Sequence, residues 1–355
     1  MLATITGCPG QEDLKVPISS SFSRIFLLGD GRAVCLGEAD YRADEFSGQQ
    51  INYYLLDSGG EMIVNRKISM APRTDLGPAS LAPNGDVLIA GMQWPHPQFP
   101  ILSGFAMRLG VDSQTIWQKD DGDAFKNGFF AIKELGDGRV LAVGQGADST
   151  RFIEINLAGE IVHEIIARPS RPDTAVISVE GQIVVVDTPV IESFNTDAAL
   201  LWRSQVLEVP GRPIDFAGVF ATANGDVVVL GAFEESPSLF LARINDEGNT
   251  IWSREIERDE IERDYASIAE SGDGTLYLGG TNRLGQLDSD GNELWRKTVP
   301  GTIRSLSISV AGIVHAVGFR QVEEEGVLVS RMLLMKFDAD GNLLSDQIFI
   351  GVSEE

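Results

Sequence analysis

Short apolar runs joined by glycine-containing turns repeat along the whole chain. Seven segments share one pattern, an apolar run, a turn and a second apolar run, as in FLLGDGRAVCLG and SLAPNGDVLIAG. Asp-Gly and Asn-Gly suit such turns because Gly and Asn tolerate the positive φ that a tight hairpin needs. We therefore predict seven β-hairpins, with turn glycines Gly31, Gly85, Gly138, Gly181, Gly225, Gly274 and Gly312.

A second hairpin follows each of the first, for example FLARINDEGNTIW and RLGQLDSDGNELW. Two hairpins make a unit of four strands, and units of roughly 40–50 residues match the period of propeller blades. No segment has a convincing 3.6-residue apolar period, so we expect helices to be nearly absent. Because a closed ring of small sheets removes long free strand edges, the sequence predicts an all-β, seven-bladed β-propeller with four antiparallel strands per blade.

This prediction makes residues 18–350 one domain, although 355 residues more often form two or three. Residues 1–17 are either a tether or an extra strand that helps to close the ring, and residues 351–355 are a short tail. The predicted blades span about 18–68, 76–120, 126–167, 173–207, 214–256, 263–299 and 302–350.

The fifth and sixth units read FATANGDVVVLGAF…LFLARINDEGNTIWSREI and YASIAESGDGTLYLGGTNRLGQLDSDGNELWRKTV. They resemble the secreted bacterial propeller repeats whose blades end in D-x-x-G-N-x-x-W, and more loosely the quinoprotein-type (PQQ-like) repeats. The resemblance covers about residues 18–350 and implies a propeller in the bacterial cell envelope or outside the cell. That repeat class has no single activity, so it supplies no catalytic residues, and we expect no cofactor.

The formal net charge is -24, which makes phosphate backbones and anionic lipid surfaces poor partners. The charge either serves solubility alone or favours a basic or cationic partner. The segment Ile5-Thr6-Gly7-Cys8 resembles a lipoprotein lipobox, so lipidated Cys8 is the one expected route to a membrane. The segment before Cys8 is shorter than a signal peptide requires, so either the start is truncated or the match is accidental.

Four of the five tryptophans, Trp117, Trp202, Trp252 and Trp295, occupy the same place after the second turn. This equivalence predicts a packing role between blades. The turns DSDGNE, NDEGNT and DADGNL resemble the start of a calcium loop, but a strand follows each at once. We interpret them as hairpin turns and expect no metal site.

We predict that the turns inside the hairpins all lie on one face of the disc, and that the longer connections, which include residues 38–50 and 318–330, lie on the other. We name these the tight face and the long-loop face. The long-loop face carries many acidic residues, including Glu323, Glu324 and Glu325, and we predict that it binds the partner. Trp94, with His96 and Phe99, is predicted to lie in one of its loops, either as a recognition element or folded onto the blade.

Charged residues recur just before the innermost strands and are predicted to surround the mouth of the central channel. They would either bind a polar ligand or satisfy one another as an ion-pair network. The residues are Arg171, Asp173, Arg212, Asp215, Arg263, Asp264 and Arg304.

Catalytic motifs are missing from the sequence: no Ser-His-Asp arrangement, phosphate loop or dinucleotide fingerprint emerges. We therefore predict a monomeric, non-enzymatic binding or scaffold protein that engages a protein or glycan through the long-loop face, and we assign no catalytic residue. The alternative is a hydrolase or lyase that acts on a polysaccharide or small polar ligand at the channel mouth.

Overall fold

A computed structural model describes residues 19–43, 46–68, 73–94, 103–121, 128–145, 149–168, 173–178, 180–187, 190–205, 212, 214–233, 238–256, 267–324 and 326–349. In this part of the chain, 28 strands form seven separate sheets of four consecutive antiparallel strands. The seven-bladed β-propeller is therefore confirmed. The same residues contain no helix, and hence none that could span a membrane. Cys8 lies outside them.

The strands are numbered in chain order, and each blade begins with its innermost strand. Blades one to three comprise β1 (Ser19–Leu27), β2 (Ala33–Ala43), β3 (Phe46–Leu56), β4 (Met62–Ile68); β5 (Arg73–Leu81), β6 (Val87–Trp94), β7 (Ser103–Leu109), β8 (Thr115–Asp121); and β9 (Phe129–Glu134), β10 (Val140–Gln145), β11 (Thr150–Ile155), β12 (Ile161–Arg168). Blades four and five comprise β13 (Thr174–Ile177), β14 (Ile183–Asp187), β15 (Val190–Phe194), β16 (Leu200–Gln205); and β17 (Ile214–Ala221), β18 (Val227–Phe233), β19 (Leu239–Ile244), β20 (Thr250–Ile256). Blades six and seven comprise β21 (Ser267–Glu270), β22 (Leu276–Gly280), β23 (Arg283–Leu287), β24 (Glu293–Thr298); and β25 (Thr302–Ile308), β26 (Val314–Glu324), β27 (Val327–Phe337), β28 (Leu343–Phe349).

All fourteen hairpin turns on the tight face have one geometry. In the first, the Leu28 amide donates to the Arg32 carbonyl, and the Gly31 amide donates to the Leu28 carbonyl. This is a three-residue hairpin loop whose last residue is left-handed. That residue is glycine in twelve turns, with φ between 73° and 100°, and Ser113 and Ala198 replace it in the other two. The predicted turn glycines are confirmed, and each turn needs positive φ at a single residue.

The ring closes where β1 packs against β25, β26 and β27. The Ile25 amide donates to Ser305 Oγ across this join at 3.3 Å. Blades six and seven are joined in the same way, because the Leu306 amide donates to Ser267 Oγ at 3.1 Å. The first and last blades are therefore held together by the same chemistry as two consecutive blades.

The repeated tryptophans pack on the turn of the following blade, which confirms the predicted packing role. A Cβ built on Gly291 would lie 2.8 Å from the ring of Trp252, so the ring excludes any side chain there. The same relation joins Trp117 to Gly159, Trp202 to Gly248 and Trp295 to Gly341.

Glycine at these second turns depends on the preceding blade. Ser113 follows a blade whose fourth strand carries Val64 in the place of tryptophan, and Ala198 follows a blade that carries His163 there. A turn that faces no tryptophan ring can therefore hold a small side chain, despite the cost of positive φ.

Two buried arginines form equivalent ion-pair networks between blades. Arg243 contacts Asp226 of its own blade at 2.7 Å and Glu270 of the next blade at 3.0 Å. Arg108 repeats this arrangement three blades earlier, with Asp86 at 2.7 Å and Glu134 at 2.8 Å. Because both arginines are about 5% exposed, each network holds its carboxylates out of water.

His315 is a buried titratable group in the seventh blade, 8% exposed and paired in register with Ser307 and Lys336. Burial, together with the positive charge of Lys336, lowers the pKa of His315 to about 4. The folded protein therefore holds a neutral imidazole at this position.

We expect His315 to make the fold sensitive to mild acid. Between about pH 6.5 and pH 4 the unfolded chain binds a proton at His315 that the folded chain does not, so the free energy of unfolding falls as the pH falls, by about 1–3 kcal/mol. Urea denaturation at about pH 7 and pH 4.5 should show a smaller loss for His315→Gln than for the wild type. Equal losses in both proteins would refute this role.

Candidate functional site

Two of the predicted loops on the long-loop face are strands. The segments 38–50 and 318–330 belong to the hairpins β2–β3 and β26–β27, which remain paired as far as Ala43 with Phe46 and Glu324 with Val327. These four strands have 11 residues each, whereas the two middle strands of the other blades have 5–8. The loop prediction was wrong here because the acidic run 323–325 suggests a loop, whereas Glu323 and Glu324 pair with the apolar residues Leu328 and Val327 across the turn at Gly326.

The hairpin of blade seven extends beyond its own sheet. Strand β25 pairs with β26 only as far as Phe319, and β28 pairs with β27 only as far as Met332. Residues 320–331 therefore form a two-stranded ribbon within the described part of the chain, which we name the blade-seven arm. Blade one has a similar extension, formed by the ends of β2 and β3, and these two blades are neighbours in the closed ring.

Ion pairs hold the base of the blade-seven arm. Arg331, which is 3% exposed, donates from Nε to Glu324 Oε1 at 2.7 Å, and this contact holds the pKa of Glu324 below its usual range. Arg320 donates to the Pro300 carbonyl at 2.7 Å and to Asp346 at 2.6 Å. Of the predicted acidic run, Glu324 is thus paired, Glu323 is exposed and Glu325 lies outside the described residues.

The tip of the arm exposes two large aliphatic side chains. Val327 is 60% exposed and Leu328 is 67% exposed. Leu328 is paired in register with exposed Glu323, so an apolar and an acidic side chain lie side by side on the same surface.

Acidic charge does not distinguish the two faces. Carboxylates are also exposed in the turns of the tight face, at Asp30, Asp112, Asp137, Asp197, Asp246, Glu247, Asp273, Asp290 and Asp340. The prediction that the long-loop face is acidic is therefore incomplete, because the tight face also carries exposed carboxylates.

The three turns that resemble calcium loops use the side-chain oxygen of their first residue to cap the backbone; this residue is Asn245 in one turn and an aspartate in the other two. Asp288 Oδ1 accepts hydrogen bonds from the amides of Asp290 and Asn292, and Asp338 Oδ1 accepts one from the amide of Asn342. Hydrogen bonds from the Asn292 and Asn342 side chains contribute most to holding the pKa values of Asp288 and Asp338 below the usual range. The motif D-x-x-G-N is therefore explained by turn formation.

The predicted recognition loop is only partly described. Trp94 is the last residue of β6 and pairs in register with Arg73, so its backbone is in a strand rather than a loop. His96 and Phe99 lie outside the described residues.

Of the described charges predicted at the channel mouth, Arg212 is paired with the outer part of its own blade. Arg212 makes a two-pronged ion pair with Glu255, at 2.8 and 2.9 Å, and lies 3.8 Å from the centre of the Phe233 ring. Because Glu255 is on β20, the outermost strand, Arg212 extends away from the channel. Asp173 and Asp215 are exposed, and Arg171, Arg263 and Asp264 lie outside the described residues.

A different set of charges lies on the inner wall, where blades seven, one and two meet. Arg24 of β1 donates to the carbonyls of Ser23, at 2.8 Å, and Gly77 of β5, at 3.3 Å. Glu38 accepts from Ser23 Oγ and from the Leu76 amide, both at 2.9 Å. Arg304 of β25 and Asp75 of β5 are close enough to act on these charges. We name this group the inner-wall cluster: Ser23, Arg24, Glu38, Asp75 and Arg304.

Burial dominates the electrostatics of the inner-wall cluster. It lowers the pKa of Arg24, against the influence of Glu38 and in the same direction as the positive charge of Arg304. It raises the pKa of Glu38, helped by the negative charge of Asp75 and opposed by hydrogen bonds from Leu76 and Ser23. The cluster therefore contains charged groups whose ionised forms are poorly solvated.

The sequence prediction included Arg304 but missed Arg24 and Glu38. Arg24 is paired with Leu36, the residue before a glycine of the second strand. Counted from the first turn glycine of each blade, the residues paired in the same place in five other blades are uncharged and small: Ala131, Thr174, Gly218, Ser267 and Ser305. Aligning the repeats would thus have marked Arg24 as an exception.

Comparison with known proteins shows the fold and no family. The Dos1 propeller is similar to this chain with a TM-score of 0.55 and 9% identity, covering 94% of this chain and 86% of that one. A protein from Lactobacillus plantarum has a TM-score of 0.55 and 13% identity, covering 79% of this chain and 86% of that one. These are likenesses of fold alone. No protein-family model and no curated protein sequence matches.

Proposed function

We propose that this propeller is a non-enzymatic binding or scaffold protein that engages a protein partner through the long-loop face. The observation that supports this most directly is the blade-seven arm. Among the described residues no third strand lies beside its two strands, and an edge of this kind is suited to pairing with an added strand. A polypeptide can use such an edge through its own backbone, whereas a glycan cannot, which favours a protein partner.

The arm combines a rigid base with an exposed apolar tip. The ion pairs of Arg320 and Arg331 fix the base before any partner arrives, which reduces the ordering cost of binding. Val327 and Leu328 provide apolar area at the tip. Exposed aliphatic side chains at the end of a projecting ribbon are better explained by contact with a partner than by packing within this chain.

The charge of the surface selects among partners. Exposed Glu323 beside Leu328, together with a net charge of -24, favours a partner segment that alternates apolar and basic residues. The resemblance to secreted bacterial repeats adds the expectation that this contact occurs in the cell envelope or outside the cell.

A photo-crosslinking residue at position 328 tests the proposal. We expect it to capture one defined partner in cells, whereas the same residue at Ile251, which is 53% exposed on β20, should not. Against that partner, Leu328→Ser should weaken binding about 5–30-fold, the range for removing one well-buried apolar contact at an interface. Ile251→Ser should leave binding unchanged. Identical crosslinks from positions 328 and 251 would contradict the assignment of the arm.

The second candidate function is a hydrolase or lyase that acts on a polar ligand near the channel. The observation that favours it is the nearness of Glu38 and Asp75, two carboxyls of which one has a raised pKa, as an acid–base pair requires. Hydrolytic activity on a polysaccharide that is lost in Glu38→Gln would establish it. Activity that persists in this variant would remove the inner-wall cluster from consideration.

A further inference from the structure

Arg24 is a cation whose partners, among the described residues, are neutral. Its guanidinium donates to two backbone carbonyls, of Ser23 and Gly77, and forms no ion pair with a described carboxylate. A carbonyl accepts a hydrogen bond but cannot neutralise a charge, and a buried cation without a direct counter-ion is costly. The position is therefore suited to a bound anion.

Glu38 is the carboxylate whose charge acts on Arg24. Both oxygens of Glu38 accept hydrogen bonds, one from Ser23 Oγ and the other from the Leu76 amide, and these bonds direct the carboxylate toward β1 and β5. Glu38 therefore acts on Arg24 through space and not through a shared hydrogen bond. Three of the five N–H groups of a guanidinium remain after two have been used.

A second guanidinium lies close by. Arg304 of β25 is near enough to lower the pKa of Arg24 and lies 5.3 Å from the centre of the Phe319 ring. The two arginines come from the first and seventh blades, which the ring closure brings together. Paired arginines with planar donor groups are typical of sites that recognise carboxylates and phosphates.

We propose that the inner-wall cluster binds a small anion with carboxylate or phosphate chemistry, with Arg24 as its main donor and Arg304 as the second. The anion supplies the charge that the two carbonyls at Arg24 do not. Because a bound anion repels ionised Glu38, binding and protonation of Glu38 favour each other. Affinity should therefore rise as the pH falls.

Titration calorimetry with inorganic phosphate and with citrate, each matched to sodium chloride for ionic strength, tests this proposal. We expect at least one of the two to bind. Because both anions also take up protons between about pH 8 and pH 5, the effect of Glu38 is the difference in pH dependence between the wild type and Glu38→Gln, and this difference should favour binding at lower pH. Arg24→Gln should weaken binding at least about tenfold, the cost of losing a charge-assisted hydrogen bond. Tighter binding of phosphate or of citrate identifies which chemistry the site prefers.

Two matched variants separate the site from general effects of charge. Arg32→Gln also removes one arginine charge, but Arg32 pairs with exposed Asp30 on the tight face, so binding should be unchanged. Glu38→Gln should tighten binding near neutral pH and flatten the pH dependence, which a structural role of Arg24 alone would not predict. The proposal fails if neither anion binds more tightly than chloride, or if Arg24→Gln and Arg32→Gln bind alike. A Glu38→Gln variant that retains the full pH dependence would also overturn it.

Discussion

Replacing Gly291 by alanine is expected to destabilise the propeller by about 2–5 kcal/mol, which exceeds the effect of the same change at Gly225 by about 1–3 kcal/mol. Both glycines have left-handed backbones, with φ of 78° and 92°, so alanine costs about 1–2 kcal/mol at either position. Only at Gly291 does the added Cβ lie 2.8 Å from a tryptophan ring. Displacing the packed ring of Trp252 adds about 1–3 kcal/mol.

Chemical denaturation of the two variants measures the difference directly. Gly225 is the matched control because a Cβ there meets nothing within 4 Å. Restoring space in the double variant Gly291→Ala with Trp252→Leu should recover part of the loss specific to Gly291. Equal destabilisation by the two alanines would mean that backbone conformation alone explains the glycine.

Replacing Arg243 by methionine is expected to cost about 3–5 kcal/mol, because it leaves two largely buried carboxylates without their cation. Asp226 and Glu270 have side chains that are 9% and 10% exposed in the native network. Arg32→Met removes an ion pair of similar geometry whose side chains are 36% and 53% exposed, and it should destabilise the protein far less than Arg243→Met because water screens the pair.

The triple variant Arg243→Met, Asp226→Asn, Glu270→Gln tests the cause. It removes the two carboxylate charges together with the arginine, so no uncompensated charge remains buried. It should therefore be more stable than Arg243→Met alone. We would compare the denaturant midpoints of four proteins: the wild type, Arg243→Met, Arg32→Met and the triple variant. If the triple variant is the least stable of them, then arginine packing rather than uncompensated charge dominates at this join.

Much of the fold can be predicted from short segments of the sequence. Each turn is specified by five consecutive residues, and a glycine such as Gly31 marks the left-handed position. The packing role of the tryptophans followed from their equivalent places in the repeat. The projecting strands were missed because Glu323 and Glu324 suggest a solvated loop, and only pairing with Leu328 and Val327 makes them strands.

The candidate site was harder to predict because it depends on ring closure. Arg24 lies inside the apolar run of an innermost strand, whereas the sequence argument considered charges before those strands. Its neighbour Arg304 is 280 positions along the chain, and no local pattern relates the two. Arg212 was misplaced for a similar reason, since its partner Glu255 comes from the far edge of the same blade.

Among the described residues, the hydrogen bonds that connect neighbouring blades on the tight face run in the same direction around the ring. Side-chain donors of one blade bond to turn carbonyls of the next: Tyr53 to Val111 at 2.8 Å, Trp202 to Asp246 at 2.6 Å and, across the closure, Lys336 to Ser58 at 2.8 Å. Each blade thus has a donor side and an acceptor side, and the ring is assembled head to tail. A circularly permuted chain, relinked from residue 349 to residue 19 and opened between two other blades, would keep every one of these bonds. Two excised sets of blades could recombine in only one orientation.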